Sequence, residues 1–458
     1  MRSINEKCAV IGISTTTEID VARLVYLGLW SLQHRGQDSS GIATFDKDSG
    51  IIVHKKEGLV SQVYSHSSLD KLKGQVSIGH NRYSTSGGND SAYNQPLVDD
   101  SLDFAFAHNG NLPTLDKLKS YLKEAHINSR NKNDTGMMFL ALSNELRLNK
   151  SLQKAVKSCW DLFSGAFSCV GIYEESLFAF RDSFGIRPLA IGKLKSGYVV
   201  ASETVALDII GADFIRDVRP GELVIINKNK LKSIQIADGK EKIDAFEFVY
   251  LARPDSRIAG RSVYTTRYEA GKVLAKLKPV KADIVVGIPD SGLAAATGFA
   301  HQAGINREQG LLKNRYIGRT FIEPEKIRKS SVELKFNVIV ERVAKKDIIL
   351  VDDSLVRGNT LKYVIQLLKS YGAKKIHVRI ASPPIKFPDY YGIDTPKNND
   401  LIAAQHSTAE IQEIIGADSL EFLDLTDFIK STGLPKSRLN LSSFNGEYPI
   451  EVPRVNSF

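Results

Sequence analysis

The stretch IILVDDSLVRGNT, residues 348–360, decides the fold of the second half of the chain. An apolar run ends in two adjacent carboxylates, Asp352 and Asp353, and a short loop leads into a segment with apolar residues at helical spacing. Similar apolar runs occur at 283–288 and 376–380, each next to a helical pattern. Apolar strands that alternate with helices predict a parallel sheet with helices on both faces.

The chemistry of this stretch predicts a ligand site. Ligands of parallel α/β sheets bind at the carboxyl ends of the strands, where the two acids lie. The loop amides and the helix N-terminus suit a phosphate group. The carboxylates would repel a phosphate, so they are better placed for ribose hydroxyls and a hard cation such as Mg²⁺. The alternative is an exposed Asp-Asp turn that only joins a strand to a helix.

The complete string resembles the phosphoribosyl pyrophosphate (PRPP) signature of type I phosphoribosyltransferases. The resemblance implies that Asp352 and Asp353 hold the ribose hydroxyls and influence the metal. It assigns the 5′-phosphate to the loop that contains Ser354, Arg357, Gly358, Asn359 and Thr360. The turn PDSG at 289–292 resembles the pyrophosphate loop of that family, which implies that Ser291 lies near the metal.

The first half opens on Cys8, at the start of the apolar run CAVIGIS. The pattern predicts a strand over 8–14 and a helix over 17–33, with Thr17 and Asp20 as a capping box. Further strands are predicted near 40–55, 76–82, 102–107, 166–181 and 196–202. Polar clusters at 33–37, 79–85, 94–97 and 108–111 join these elements. Taken singly, the cysteine is typical of a core residue and the clusters are typical of turns.

Taken together, these features resemble the N-terminal-nucleophile glutamine amidotransferase domain, an αββα sandwich. The resemblance implies that residues 1–7 are a propeptide and that the freed α-amine of Cys8 is the base for its own thiol. Asn109 and the Gly110 amide would stabilise the oxyanion. Arg82 would bind the α-carboxylate of glutamine and Asp134 its α-ammonium group.

Both halves together resemble one family, the glutamine PRPP amidotransferases, from Cys8 to about residue 430. Supporting stretches are RDSFGIRPLAIG (181–192), VVASET (199–204), RPGE (219–222), ARPDS (252–256) and KNRYIGRTFI (313–322). The implied reaction converts glutamine, PRPP and water into 5-phosphoribosylamine, glutamate and pyrophosphate, with Mg²⁺ offsetting the charge of the leaving group. This reaction is the first committed step of de novo purine synthesis.

The segment 313–338 resembles a loop that closes over PRPP in this family. Its Lys313, Arg315 and Arg319 suit a pyrophosphate, and the alternative is an exposed basic loop. The resemblance also implies a homo-oligomer and purine nucleotides as possible inhibitors.

The predicted domains follow from the motifs. They are a propeptide at 1–7, a glutaminase domain at 8–235, a phosphoribosyltransferase domain at 246–430 and a tail at 431–458. The Lys-rich stretch 227–245 is the predicted boundary. The tail is rich in Ser, Asn and Pro, which predicts that it wraps the surface.

Composition limits the other possibilities. Among 458 residues, 61 Lys and Arg against 52 Asp and Glu give a net charge of +9, yet the basic residues are dispersed and no nucleic-acid recognition motif accompanies them. No apolar run approaches the ~20 residues that cross a bilayer. Three cysteines and a start without a secretory signal favour a reducing, cytoplasmic setting.

The sequence differs from the usual pattern of the family at three places, and these differences bear on the alternative functions. Ala9 stands where Gly usually follows the nucleophile, and its methyl group would crowd the amine or the oxyanion pocket. Glu333 stands where Arg is usual, which would weaken loop closure. Iron–sulfur members place cysteines at positions matching Asp244, Asp389, Asn440 and Ser443, so the resemblance is to the branch without an iron–sulfur cluster. The rivals are a non-catalytic PRPP-binding regulator and a sugar-phosphate aminating enzyme, and the VDDSLVRGNT string disfavours the latter.

Overall fold

The computed structural model describes residues 5–6, 8–17, 20–83, 91–149, 151–314, 335–394 and 400–453. The strands of its first half are β1 (Asn5–Glu6), β2 (Cys8–Thr15), β3 (Ser39–Asp46), β4 (Gly50–Glu57), β5 (Val76–Arg82), β6 (Leu97–Asp99), β7 (Phe104–Thr114), β8 (Ser164–Tyr173), β9 (Ser176–Arg181), β10 (Ala190–Leu194), β11 (Gly197–Ala201), β12 (Asp213–Asp217), β13 (Glu222–Asn227) and β14 (Lys230–Gln235). The helices are α1 (Val21–Ser31), α2 (Val60–Val63), α3 (His66–Leu69), α4 (Asp116–Glu124), α5 (Asp134–Asn149), α6 (Leu152–Cys159) and α7 (Thr204–Ile209).

Two antiparallel sheets stack in the first half. One has the strand order β12-β10-β11-β2-β5-β3-β4 and the other β14-β13-β9-β8-β7-β6. Strand β2 explains the layering, because its side chains alternate between the two faces. Val10 lies in the core between the sheets, whereas Ile11 and Ile13 lie in the core beneath α1. Helices α4, α5 and α6 cover the second sheet. The predicted αββα sandwich is confirmed.

Helix α1 begins later than the sequence pattern predicts. Asp20 is its N-cap, and the Asp20 side chain accepts a hydrogen bond from the Arg23 amide. The expected capping box with Thr17 as its first residue is therefore wrong. An aspartate side chain satisfies a free amide of the first turn as well as a threonine does, so the later of the two capping residues starts the helix.

The second half has its own set of elements. Its strands are β15 (Ile243–Asp244), β16 (Arg257–Ile258), β17 (Arg261–Ser262), β18 (Ile284–Gly287), β19 (Leu311–Lys313), β20 (Phe336–Val338), β21 (Asp347–Asp352), β22 (Lys375–Ile380), β23 (Ile393–Asp394), β24 (Ser419–Phe422) and β25 (Leu439–Asn440). Its helices are α8 (Val263–Leu277), α9 (Leu293–Ala303), α10 (Val340–Val343), α11 (Asn359–Ser370), α12 (Ile402–Gln405), α13 (Thr408–Ile415), α14 (Leu425–Thr432) and α15 (Ser442–Asn445).

The central sheet of the second half is parallel, in the order β18-β21-β22-β24. Helices α8, α9 and α14 pack on one face and α11 and α13 on the other. The predicted parallel sheet with helices on both faces is confirmed. Within the described part of the chain, no helix has both the length and the apolar character needed to cross a bilayer.

Two polar stretches are more ordered than their composition suggests. Within 227–245, β14 forms an edge of the second sheet and β15 is buried. The expectation that the tail wraps the surface is wrong for its first part. Strand β25 pairs with β15, and Leu439, Leu441 and Phe444 belong to the core beneath α8. Apolar residues spaced among Ser and Asn are enough to build this layer.

Candidate active sites

Cys8 and Arg82 lie side by side at one end of the first sheet. Cys8 is the first residue of β2, and its register partner on β5 is Arg82. Both side chains are buried, with 8% and 7% of their surface exposed. The polar cluster at 79–85 therefore continues a strand to its end, and its last two residues lie outside the described part of the chain.

Ala9 does not crowd the Cys8 side of the strand. Its side chain is buried in the core beneath α1, together with Ile11. Because side chains alternate along a strand, the Ala9 methyl points to the face opposite that of Cys8 and Val10. The expectation that this methyl group would crowd the oxyanion pocket is not supported by this packing. Glu333, the other departure, lies outside the described residues.

Asn109 and Gly110 are neighbours on β7, in the second sheet. The Asn109 side chain is fully buried, and its Nδ2 donates a 3.5 Å hydrogen bond to Ser202 Oγ. Its Oδ1 has no hydrogen-bond partner among the described residues. A buried amide normally uses its polar atoms, so this side chain retains capacity for a ligand.

Gly110 occupies a position that excludes any side chain. Its φ is +151°, and a Cβ built on it would lie 2.0 Å from the carbonyl oxygen of Ala166. This is a backbone conformation that residues with a Cβ rarely adopt. The glycine therefore lets β7 keep its backbone close to β8 next to Asn109.

Asp134 is oriented by backbone amides at the start of α5. Its Oδ1 accepts a hydrogen bond of 2.8 Å from the Thr135 amide, and its Oδ2 accepts one of 3.2 Å from the Leu112 amide. Leu112 is two residues beyond Gly110 on β7, so the same strand carries Gly110 and fixes Asp134. The Thr135 hydroxyl in turn contacts His108 Nδ1 at 3.1 Å. The sequence patterns gave no signal for Thr135.

The Arg82 side chain contacts two neighbouring residues, Tyr93 and Asn94. Its guanidinium lies 5.5 Å from the centroid of the Tyr93 ring, and its Nη1 donates to Asn94 Oδ1 at 3.4 Å. Nearby, the deeply buried His80 has its pKa lowered to about 3, mainly by burial and then by the charge of Arg82. His80 is therefore neutral at physiological pH.

The second half also contributes to this region, which the sequence did not predict. Asn111 Nδ2 donates to the carbonyl oxygen of Tyr390 at 2.8 Å. A Cβ built on Gly392 would lie 3.3 Å from the Cα atom of Gly110. Strand β23 follows directly, and β1 pairs with it in an antiparallel manner. Residues just before Cys8 thus contact the same segment that packs on β7.

The second candidate site lies where β21 ends. Asp353 is buried, with 6% of its surface exposed, and it accepts hydrogen bonds from the hydroxyls of Ser291 and Ser354. Burial raises the pKa of Asp352 well above its usual range, and the charge of Asp353 raises it further. Burial also raises the pKa of Asp353, although the hydrogen bonds and the charge of Arg267 partly offset it. The exposed Asp-Asp turn is therefore wrong.

The loop after the two acids ends at Gly358, the N-cap of α11, which adopts the left-handed conformation with a φ of +77°. Asn359 and Thr360 begin the helix, so their amides lie in its first turn, where an anion is stabilised. Arg357 pairs with Asp400 at 3.1 Å. The residues predicted to cradle a phosphate are thus brought together in one loop.

The turn 289–292 lies beside the same strand end. The Ile288 amide donates to the Val351 carbonyl, and Ser291 contacts Asp353. Lys313 reaches this turn from β19, where its Nζ lies 2.8 Å from Asp290 Oδ2. Arg315 and Arg319 lie outside the described residues.

Four positions named for the iron–sulfur members also cluster. Asp244 and Asn440 are register partners, and the Ser443 carbonyl accepts the amide of Lys386. Burial and the charge of Asp389 raise the pKa of Asp244 well above its usual range. In the described part of the chain, no group of three or more His, Cys, Asp or Glu side chains is arranged to hold a metal ion.

Comparison with known proteins gives the same two halves. A family model of the glutamine amidotransferase domain matches residues 80–208, and a family model of the phosphoribosyl transferase domain matches residues 268–391. The amidophosphoribosyltransferase of Synechocystis sp. is 44% identical, with 98% of this chain and 92% of the relative covered. That of Mycobacterium tuberculosis is 42% identical, with 99% and 88% covered. The solved glutamine PRPP amidotransferase from Bacillus subtilis, complexed with ADP and GMP, is 38% identical, covers 98% of both chains and has a TM-score of 0.90.

Proposed function

This chain belongs to the amidophosphoribosyltransferase family, and from that premise we propose a role for each residue of its two sites. The enzyme performs glutamine-dependent amidotransfer to PRPP in purine biosynthesis, which yields 5-phosphoribosylamine, glutamate and pyrophosphate. Each half carries one step, because glutamine hydrolysis needs a nucleophile and an oxyanion site whereas PRPP needs anion and cation binding.

In the glutaminase half, the Cys8 thiolate attacks the side-chain amide of glutamine. The α-amine of Cys8, freed by removal of residues 1–7, takes the thiol proton and passes it to the leaving ammonia. Asn109 Nδ2 and the Gly110 amide donate to the oxyanion. The observation that carries this assignment is the fully buried Asn109 amide in a strand that packs across β2, because its Nδ2 has two N–H groups and Ser202 Oγ accepts from one of them.

The glutamine backbone is bound by two charged side chains. Arg82 pairs with the α-carboxylate, since a guanidinium can form two parallel hydrogen bonds with a carboxylate. Asp134 pairs with the α-ammonium group. Its orientation by the Thr135 and Leu112 amides supports this role, because one backbone hydrogen bond to each oxygen fixes the carboxylate and leaves it acceptor capacity for an ammonium group.

In the phosphoribosyltransferase half, Asp352 and Asp353 accept hydrogen bonds from the ribose hydroxyls. The loop and first turn of α11 bind the 5′-phosphate through Ser354, Arg357, Gly358, Asn359 and Thr360. Lys313 and Arg315 bind the pyrophosphate. The contact between Lys313 and Asp290 supports this placement, because it brings a cation to the turn beside the two acids.

Magnesium fits the donors of this second site. The carboxylates of Asp352 and Asp353 and the hydroxyl of Ser291 would hold the ion, because they are hard oxygen donors of the kind that Mg²⁺ prefers. When bound, Mg²⁺ supplies positive charge that offsets the leaving pyrophosphate. At the positions of Asp244, Asp389, Asn440 and Ser443, the chain offers oxygen and nitrogen in place of thiolates, so we propose that it carries no iron–sulfur cluster.

The organisation of the chain is part of the proposal. The domains are the propeptide 1–7, the glutaminase domain 8–235, the phosphoribosyltransferase domain 246–430 and the tail 431–458. Purine nucleotides are proposed as inhibitors, since the Bacillus subtilis relative was solved with ADP and GMP. A homo-oligomer is proposed because Trp30, Ile209 and Phe214 expose apolar surface. A reducing, cytoplasmic setting is proposed because the three cysteines, all within the described part of the chain, form no disulfide bond.

The test is to replace the nucleophile and supply nitrogen in two forms. Cys8→Ala should abolish pyrophosphate release with glutamine and preserve it with added ammonia, because ammonia bypasses the thiol step. A matched control is Cys169→Ala, which removes a fully buried thiol of β8. It should retain both activities. Equal loss with both nitrogen donors in Cys8→Ala would mean that Cys8 is structural.

A further inference from the structure

Two stretches that the two sites do not use, 199–204 and 252–256, meet at the interface between the halves of the molecule. Glu203 is fully buried at the start of α7. Its Oε2 accepts a hydrogen bond of 3.0 Å from the Arg253 amide and one of 2.5 Å from the Ser256 hydroxyl. The Glu203 side chain thus holds a loop that belongs to the other half of the chain.

The other oxygen of Glu203 is held by its own half. Oε1 contacts His34 Nε2 at 2.6 Å and accepts a hydrogen bond from Arg35 Nε. Burial alone would raise the pKa of Glu203, but Arg35 and then His34 hold it well below its usual range. A buried carboxylate that uses both oxygens in this way fixes the donors around it, because any donor that moves away is left unpaired.

The residue before Glu203 contacts the proposed glutaminase machinery. Ser202 Oγ accepts hydrogen bonds from the Val10 amide at 2.9 Å and from Asn109 Nδ2 at 3.5 Å. The Ser202 amide also donates to the Val10 carbonyl. Ser202 therefore joins β2, two residues after Cys8, to the side chain proposed to stabilise the oxyanion.

The loop held by Glu203 is tied at its other end to the PRPP site. Arg267 on α8 donates from Nη2 to the Ala252 carbonyl and from Nε to the Phe248 carbonyl, both at 2.8 Å. Arg267, Ser291 and Asp353 line the same small cavity. Ala252 directly precedes Arg253, so one residue of the loop is bonded to Arg267 and the next to Glu203.

We propose that Glu203 is a positioning residue that couples the two sites. It holds the loop 253–256, which Arg267 links to the PRPP-binding Asp353, and it directly follows Ser202, which bonds to Asn109. Occupation of the PRPP site, which changes the charge facing Arg267, is transmitted through this loop to the oxyanion site, so that breaking the link lets glutamate form without a matching release of pyrophosphate. This inference rests on the proposed roles of Asn109 and Asp353.

The test compares glutamate formed with pyrophosphate released when both substrates are saturating. Glu203→Gln replaces one acceptor oxygen by a donor, so it can satisfy only one side of the interface. Ser256→Ala is the milder variant, since it removes one hydroxyl and leaves the Arg35 pair intact. Ser77→Ala is the control, because Ser77 is a buried hydroxyl that bonds to Thr44 and to the Ala43 carbonyl, within the first sheet.

We expect the glutamate-to-pyrophosphate ratio of Glu203→Gln to rise at least about fivefold above wild type, the low end of measured couplings between sites. The ratio should rise in the same direction, by less, in Ser256→Ala and stay unchanged in Ser77→Ala. Ammonia-dependent pyrophosphate release should stay at the wild-type rate in all three, because a coupling residue acts only when both sites are in use.

If both single variants, Ser256→Ala and Glu203→Gln, fold and show the wild-type glutamate-to-pyrophosphate ratio, the proposed coupling is overturned. Equal loss of ammonia-dependent and glutamine-dependent activity would do the same, because it would make Glu203 purely structural. If Glu203→Gln fails to fold, an unchanged ratio in Ser256→Ala alone is decisive. A wild-type protein that releases no pyrophosphate with glutamine would overturn the proposed function, and the coupling with it.

Discussion

Replacing Gly110 by Ala should separate the two activities of the enzyme. The added Cβ would lie 2.0 Å from the Ala166 carbonyl oxygen, and Cβ atoms essentially never approach another heavy atom closer than 3.0 Å, so β7 and β8 must part by about 1 Å. The Gly110 amide is a proposed oxyanion donor. A misplacement of about 1 Å in such a group costs on the order of 100-fold in rate, which is about 2.7 kcal/mol of transition-state stabilisation.

The assay measures kcat/KM for glutamine and, separately, for ammonia, by pyrophosphate release. Gly110→Ala should lose about 100-fold with glutamine and nothing with ammonia. Gly211→Ala is the matched control, since Gly211 also has a positive φ but a Cβ there meets nothing within 4 Å. It should keep both activities. Wild-type glutamine use by Gly110→Ala would refute the oxyanion assignment, and an equal loss with ammonia would show a general disturbance of the fold.

Three further outcomes are expected. The double variant Asp352→Asn with Asp353→Asn should abolish pyrophosphate release with either nitrogen donor, since the proposed ribose and metal ligands are gone; wild-type release would contradict the assignment. Intact-mass measurement of glutamine-active protein should give a chain that starts at Cys8, whereas an active chain with all seven preceding residues would exclude the α-amine as base. Burial raises the pKa of Asp182 from 3.8 to about 6. The folded state therefore binds more protons than the unfolded state between these two pH values. Asp182 should contribute up to ~3 kcal/mol to the free energy of unfolding below pH 4, and this contribution is lost as the pH rises through 6. The difference in unfolding temperature between wild type and Asp182→Asn should shrink over that range, and a constant difference would contradict this.

The sequence predicted what depends on local periodicity. Strand β21 and helix α11 were expected because Asp352 follows four apolar residues and the apolar positions after Thr360 recur at helical spacing. Strand β2 was expected for the same reason. The start of α1 was missed because two residues three apart, Thr17 and Asp20, can each cap a helix, and local pattern does not choose between them.

The sequence could not predict contacts made between distant segments. Asn440 belongs to a stretch that is polar on average, and only its pairing with Asp244 reveals that the tail completes a core. The neighbours of the two acids at 352–353 could not be predicted for a similar reason. Ser291 bonds to the buried Asp353 from the turn that follows another strand, and periodicity carries no information about such neighbours.

The residues that meet at the interface between the halves are also far apart in the sequence. The need for a single arrangement explains why this interface contains charged side chains. Glu203 and Ser256 are 53 residues apart, and Glu203 and Arg35 are 168 apart. An apolar interface of similar size would be more tolerant of small shifts, because dispersion and burial have little directional preference. A buried carboxylate with donors on both sides permits one arrangement only, since a displaced donor loses its partner in a place that water does not reach. A charged interface of this kind therefore keeps the two sites in one fixed arrangement. Such an arrangement suits an enzyme in which ammonia released at the first site is used at the second.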